Sequence, residues 1–166
     1  MKNKKRRIAI FIVILIAFFA FGNRGYKTTV KQYVAASMNG NGRKVVSLMP
    51  KNYITSAISQ GEYRNKREMI KDYNTILEQN IDSFDNSFGK KWKYTYKITD
   101  VYKYTKSDIE GFITISNYGY LFSKAKAMKE VSYELKVYGN GYESTTTEKL
   151  LLVKLGRKWY VADAYG

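Results

Sequence analysis

The sequence of 166 residues contains no cysteine, no histidine and only one proline. Without cysteine the chain has no disulfide, no thiol nucleophile and no thiol that could carry a lipid, and without histidine it has no Ser-His-Asp triad. Zinc sites built from these two residue types are excluded for the same reason. These absences remove much of the usual catalytic and metal-binding chemistry, and our leading expectation is a protein with no catalytic residues, no metal and no cofactor.

The first 22 residues differ from the rest of the chain. A basic cluster at positions 2–7 precedes fourteen residues, 8–21, that carry no charged or polar side chain. We predict one hydrophobic helix here, acting as a signal peptide or membrane anchor, and a single extracytoplasmic domain over residues 23–166, because positively charged flanks stay in the cytoplasm. The residues expected in the membrane segment include Ile8, Phe11, Ile14, Phe18 and Phe21.

The length of this segment leaves its processing open. At about 1.5 Å per residue, fourteen helical residues span about 21 Å, which is short of the ~30 Å hydrocarbon core and typical of a signal peptide. Ala20 and Gly22 are small residues that would permit cleavage after Gly22 and secretion of the domain. We favour an uncleaved single-pass anchor in the cell membrane, with the C-terminal domain outside.

Positive charge is in clear excess, with 29 Lys+Arg against 14 Asp+Glu and a formal net charge of +15 at pH 7. Five of the basic residues lie in the first 22, so the domain keeps 24 against 14 and a net charge near +10. Outside a cell this charge would attract lipid head groups or anionic cell-wall polymers, whereas nucleic acid binding would need a role in transfer or uptake. The plainer alternative is that an AT-rich genome has placed lysine on solvated faces.

The first half of the domain has helical periodicity. Thr28 or Thr29 is a candidate N-cap for a first helix that ends at the glycines of residues 40–42. Short helical turns follow over residues 45–61, with Pro50 at a helix start. Apolar residues then recur every three or four positions from about Asn65 to Phe88, which predicts a long helix.

The second half has the two-residue periodicity of strands. The alternation over residues 91–99 slips by one position before Val101, which predicts a β-bulge. Residues 107–121 are ambiguous; we predict a short helix there, because Ser107 and Glu110 have the spacing of a capping box. Further strands are predicted over residues 131–137, 144–155 and 159–164, and residues 150–153, apolar on both faces, should lie in a central strand.

Helices followed by an antiparallel meander indicate an α+β fold in which a sheet curls around a long helix. The segments VKQYVAASMNGNGRKVVSLM, KWKYTYKITDVYKY and KLLLVKLGRKWYVADA resemble the nuclear transport factor 2-like, or cystatin-like, superfamily. More narrowly, the chain is similar to small membrane-anchored or secreted envelope proteins of Gram-positive bacteria. This resemblance covers residues 27–165 and implies a cone-shaped fold, with N-terminal helices on a curved antiparallel sheet that encloses a pocket. It does not imply one function.

The candidate pocket residues come from strand parity. Four aromatic residues share the parity expected to face inward, and one acid in the last strand falls on the same parity as its apolar neighbours. The predicted pocket-lining residues are Trp92, Tyr94, Tyr96, Tyr133 and Asp163. Enzymes of the superfamily usually use a His-Asp pair or an Asp-Arg set inside the cone. Here only Asp100 and Asp163 could serve as a base, and only if they are desolvated.

Three functional hypotheses follow. The leading one is a non-enzymatic, membrane-anchored interaction or scaffold module that binds another envelope protein or a second copy of itself. By resemblance it could be a subunit of a secretion or conjugation assembly, docking through tyrosines on a sheet face exposed to solvent (Tyr102, Tyr104, Tyr138 and Tyr160). The alternatives are a secreted or anchored pocket-type binder of a small apolar or cell-wall ligand, and a pocket enzyme with an Asp base.

Overall fold

The computed structural model of the protein describes residues 25–115 and 119–165. The predicted membrane segment, with Ile8, Phe11, Ile14, Phe18 and Phe21, lies outside the described residues, as does any cleavage site after Gly22. No helix within the described ranges is both long enough and apolar enough to cross a membrane.

Four helices open the described part of the chain, as the periodicity predicted. They are α1 (Tyr26–Met38), α2 (Gly42–Ser47), α3 (Lys51–Ser59) and α4 (Lys66–Phe88). The long helix α4 has the predicted bounds. Its start is fixed by the Asn65 side chain, which accepts hydrogen bonds from the N–H groups of Arg67 and Glu68. Its end is fixed by Gly89, which has φ 76°.

The start of α1 differs from the prediction. Gly25 is the N-cap and makes no side-chain capping bond, so neither Thr28 nor Thr29 begins the helix. Thr29 is buried instead, and its hydroxyl donates to the carbonyl oxygen of Trp159 at 3.3 Å. A threonine that the sequence pattern favours as a cap is used here to join the first helix to the last strand.

The sheet has four antiparallel strands in the order β1-β2-β3-β4. The strands are β1 (Lys93–Lys103), β2 (Ala125–Gly139), β3 (Tyr142–Leu155) and β4 (Lys158–Tyr165). The predicted bulge is confirmed, because the β1–β2 register shifts between Ile98 and Asp100. Strands β2 and β3 are joined by a tight hairpin, in which Asn140 and Gly141 both have positive φ, as a two-residue hairpin turn requires.

A short helix, α5 (Lys106–Ile115), confirms the structure predicted for the ambiguous segment, and a 3-10 helix (Gly119–Phe122) follows it. The capping residues are different ones from those predicted. The N–H of Thr105 donates to the Asp108 carboxylate at 2.8 Å, and the N–H of Asp108 donates to the Thr105 hydroxyl at 3.2 Å. The reciprocal box therefore begins two residues before Ser107, with aspartate in the place usually held by glutamate.

Other parts of the domain pack on the apolar residues of both faces of the sheet. Val30 and Val34 of α1 pack with Leu150 and Leu152 on one face. Phe122 packs with Leu151 and Val153 on the other, beside α5. This confirms the prediction that residues 150–153 lie in an inner strand. The sheet face whose tyrosines were predicted to be exposed to solvent is only partly exposed. Tyr104 and Tyr160 pack against this second core, whereas Tyr102 is 52% exposed.

Helix α4 packs against the core of the sheet through Phe84 and Phe88, near its C-terminal end. Only Met69, Leu77 and Phe88 of that helix are buried, and Ile76 in the predicted apolar stripe is 47% exposed. Met69 and Leu77 belong to a separate core formed among the helices. The α+β class, with N-terminal helices packed on an antiparallel sheet, is confirmed, whereas a cone of the cystatin type stays a prediction.

Candidate functional site

The predicted aromatic residues lie along one side of β1 and its neighbour β2. Trp92, Tyr94 and Tyr96 are half-buried, and Tyr133 of β2 is buried in the main core. The rings of Trp92 and Tyr94 have centroids 6.4 Å apart, and those of Tyr96 and Tyr133 are 6.2 Å apart in an edge-on arrangement. Burial raises the pKa of the Tyr133 phenol above its ordinary value.

Trp92 is the most firmly positioned of these rings. Its indole N–H donates to the carboxylate of Asp85 at 2.8 Å, and the Phe84 ring meets it edge-on at 5.3 Å. Trp92 and Tyr94 line an open groove of about 610 Å³, together with Tyr138 and residues from α1 and α4. The groove combines aromatic faces with polar side chains, the arrangement that a sugar or small apolar ligand can stack on.

Tyr96 opens into a different groove. That groove, of about 680 Å³, lies between the start of α1 and β1 and is lined by Lys27, Lys31 and Asp100 among others. The four aromatic residues are therefore divided between two open grooves and the core, and the structure does not bring them together around one pocket.

The two candidate acids are exposed. Asp163 pairs with Leu151 because the β3–β4 register shifts between Leu151 and Leu152, so the parity with Val161 that predicted an inward side chain is broken. Its carboxylate accepts from the N–H of Ala164 at 2.8 Å. Asp163 thus lies apart from the aromatic residues, and Asp100 is exposed at the bulge. In the described part of the chain, no three acidic side chains group together as possible metal ligands.

A groove that the sequence analysis did not identify lies between the helices and β4. We call it the lysine groove, and its volume is about 470 Å³. Its charged lining residues are four lysines, and its remaining lining residues are apolar, aromatic or uncharged polar, with no carboxylate among them. The lysines are Lys44, Lys51, Lys66 and Lys158.

Two contacts hold the walls of the lysine groove together. The N–H of Val161 in β4 donates to the carbonyl of Leu48, which follows α2, at 2.9 Å. The bond from Thr29 to the Trp159 carbonyl joins α1 to the same strand. Both bonds run between elements far apart in sequence, so the groove is part of the rigid packing of the domain.

The lysine groove has no internal counter-charge. Within the described ranges, none of its four lysines forms an ion pair, although the same ranges contain ion pairs elsewhere, such as Lys149 with Glu130. Lys129 adds positive charge beside it, since its ammonium lies 5.8 Å from the centre of the Trp159 ring. Desolvation, and then repulsion from Lys103, lower the pKa of Lys129. The groove therefore offers an uncompensated cationic surface to an anion.

Sequence reasoning missed this groove because its lysines come from α2, α3, α4 and the start of β4. They have no common spacing, and the chain has many other lysines. The overall positive charge was the only signal, and it does not say where the charge concentrates.

A scan of protein-family models, a search of curated proteins and a search of solved structures each gave no match to this chain. The resemblance to the nuclear transport factor 2-like superfamily accordingly stays a prediction.

Proposed function

We propose that the protein is a non-enzymatic, membrane-anchored interaction module whose domain lies outside the cell, close to the membrane surface. The observation that carries this proposal is the short junction between the apolar segment and the folded domain. The apolar run ends at Phe21 and α1 begins at Tyr26, so only residues 22–25 separate them. Four extended residues span at most about 14 Å, which leaves no room for a long flexible linker.

The filled interior supports surface recognition over an enclosed ligand. Tyr133, which would line a central pocket, is 5% exposed and packs with Val131, Val137 and Leu150. The grooves along β1 lie at the surface of the packed domain. A domain of this kind recognises its partner through its outer surface, and the partner is another envelope protein or a second copy of the chain. By resemblance, a subunit of a secretion or conjugation assembly is one concrete version.

The test is mass spectrometry of the tagged full-length protein, cross-linked in its native membranes and purified with whatever accompanies it. An intact N-terminal peptide that includes Phe21, together with a stoichiometric envelope protein or a cross-linked dimer, is the expected result. A chain that begins near Asn23 and carries no protein partner would overturn the proposal.

A second candidate function is favoured by the groove at Trp92. Here the ring is held by Asp85, and Tyr94 and Tyr138 line the same groove. Such a groove suits a cell-wall fragment bound by stacking. If this is the function, Tyr94→Ala should abolish retention on purified cell wall, while Tyr142→Ala, which alters an exposed tyrosine in the β2–β3 hairpin region, should leave it intact.

A further inference from the structure

We propose that the lysine groove binds the phosphate groups of anionic lipid head groups on the membrane to which the chain is anchored. This inference rests on the proposed membrane anchor, since it needs the groove to lie at the bilayer surface. It assigns a ligand class, phosphate-bearing lipids, to a groove that the sequence pattern did not reveal.

The chemistry of the groove fits phosphate. Four ammonium groups surround it, and each is a compact charge with donors that can turn toward phosphate oxygens. No carboxylate lines the groove, and the lysines have no ion-pair partners within the described residues, so an incoming anion displaces no internal partner. The same groove is also lined by Met49 and Ile54, which are buried, so apolar surface is available to the stems of the lysines.

The position of the groove favours lipid over other sources of phosphate. Thr29, which lines the groove, lies one helical turn after Tyr26, the first residue of α1. Tyr26 itself meets the ring of Trp159, another lining residue, with centroids 6.1 Å apart. The groove therefore adjoins the point where the chain from the anchor joins the domain. An anchor ending at Phe21 would hold Tyr26 within about 18 Å of the membrane surface even with the five intervening backbone steps fully extended. A less extended junction brings the groove nearer to the range of about 8–10 Å over which charges act.

A second basic groove lies beside the first. Consecutive residues divide between the two: Lys44 and Lys66 line the lysine groove, and Arg43 and Arg67 line its neighbour. Arg64 and Lys71 also line this second groove, together with one acid, Glu68, whose carboxylate accepts from the N–H of Arg64 at 2.7 Å. Cations spread over two adjoining grooves match a bilayer surface that presents many phosphates better than a single small anion.

The two tryptophans allow a direct test on the full-length chain. Trp159 lines the lysine groove, and Trp92 lies beside Met38 at the opposite end of α1. The chain is placed in bilayers that carry a nitroxide on a head group, with and without phosphatidylglycerol, and quenching of the remaining tryptophan is measured in Trp92→Phe and in Trp159→Phe. We expect phosphatidylglycerol to increase quenching of Trp159 and to leave quenching of Trp92 nearly unchanged.

Charge variants then assign the increase to the groove. The double variant Lys51→Gln and Lys158→Gln, at exposed groove positions, should lose most of the increase in Trp159 quenching. The matched control removes two exposed lysines that do not line the groove, Lys91→Gln and Lys97→Gln, and should retain it. Circular dichroism of both double variants checks that the fold is intact.

Each remaining outcome decides one claim. If the chain is anchored but the increase is absent, or if the control double variant loses it equally, the lipid inference is overturned. Soluble poly(glycerol phosphate) is then added at the same phosphate concentration as the lipid. If it abolishes the increase in Trp159 quenching, the groove binds a phosphate polymer, and the inference that its ligand is a lipid is overturned. If the chain fails to float with neutral bilayers at high salt, the anchor proposal fails. A groove-dependent quenching of Trp159 on anionic vesicles would even then support phosphate-lipid binding.

Discussion

The two tryptophans of the chain lie next to opposite ends of helix α1, and their surroundings differ. At the C-terminal end, Trp92 donates its indole N–H to the carboxylate of Asp85 and contacts Phe84. At the N-terminal end, Trp159 adjoins the lysine groove and the ammonium of Lys129. Both rings are half-buried and pack against the same core. At one end a carboxylate therefore holds the indole ring by a hydrogen bond, and at the other the ring adjoins several lysines that have no ion-pair partner within the described residues.

The difference shows how local and distant residues contribute to a surface. The partners of Trp92 lie within eight residues of it in sequence, at the end of α4. The cations around Trp159 come from four separate helices and strands, together with Lys129 of β2. The concentration of cations at Trp159 is therefore a product of the packing of distant elements, whereas the surroundings of Trp92 are set by its neighbours in sequence.

The largest expected effect concerns the core that joins the two ends. Burial raises the pKa of Tyr33 and Tyr133 above 10.0, so their ionisation favours the unfolded chain. The contribution of these two phenols to stability is complete below pH 10 and is lost as the pH rises above it, by about 1.4 kcal/mol for each unit of pKa difference at each phenol. In single-tryptophan variants, the fluorescence of Trp92 and of Trp159 should change at the same pH above 10. Separate transitions would mean that the two ends are not one cooperative unit.

The next effect comes from a substitution at the Trp92 end that should destabilise the whole cooperative domain. A Cβ on Gly139 would overlap the carbonyl oxygen of Phe88 and lie 3.1 Å from the Cα of Trp92, both backbone atoms that cannot move freely. Gly139→Ala should reduce the free energy of unfolding by about 1–3 kcal/mol, measured by urea denaturation, and shift Trp92 emission.

The control for Gly139 is a glycine with open space around it. A Cβ on Gly111, in helix α5, meets no atom within 4 Å. Gly111→Ala should stabilise the protein by about 0.5–1 kcal/mol, because alanine loses less backbone freedom in a helix. Equal destabilisation by both substitutions would contradict the close packing of the helix end on the hairpin.

A smaller effect tests the carboxylate of Asp85, which accepts the hydrogen bond from the Trp92 indole. Asp85→Ala removes the acceptor of the Trp92 indole N–H and should cost about 1 kcal/mol in unfolding free energy, with a shift in Trp92 emission. Asp85→Asn keeps an acceptor oxygen and should cost less. If the two variants are equally destabilised, the hydrogen bond is not what holds the ring.

The smallest effect is expected at the cationic end. The ammonium of Lys129 lies 4.6 Å from the centre of the Tyr26 ring, and Lys129→Gln removes this cation–π contact, worth about 0.5–1 kcal/mol. Loss of the repulsion from Lys103 offsets part of that cost. Lys129→Met, which keeps the alkyl packing, is the matched control. If urea denaturation shows that Lys129→Gln lowers the free energy of unfolding by well over 1 kcal/mol, Lys129 contributes more to the packing of the domain than this cation–π contact.

Much of the fold could be predicted from local signals. The cap at Asn65 and the stop at Gly89 fixed the long helix, and the slip before Val101 located the bulge. Long-range packing decided the features that differed. Thr29 does not cap α1 but donates a hydrogen bond to the carbonyl of Trp159. Asp163 is exposed because the β3–β4 register shifts. A bulge in β4 leaves no slip in the apolar pattern, because the residues after Val161 are too few to establish one.

By itself the sequence determined the elements and their order, because caps, turns and hydrophobic periodicity act over fewer than ten residues. It also set the excess of positive charge and the apolar run before the domain. Only the tertiary structure decided where that charge gathers. Lys44 and Lys158 are 114 positions apart and reach one groove because β4 bonds to Leu48 and α1 bonds to Trp159. Charges are spread along a chain without any local rule, and the packing of distant apolar faces brings them to the same surface.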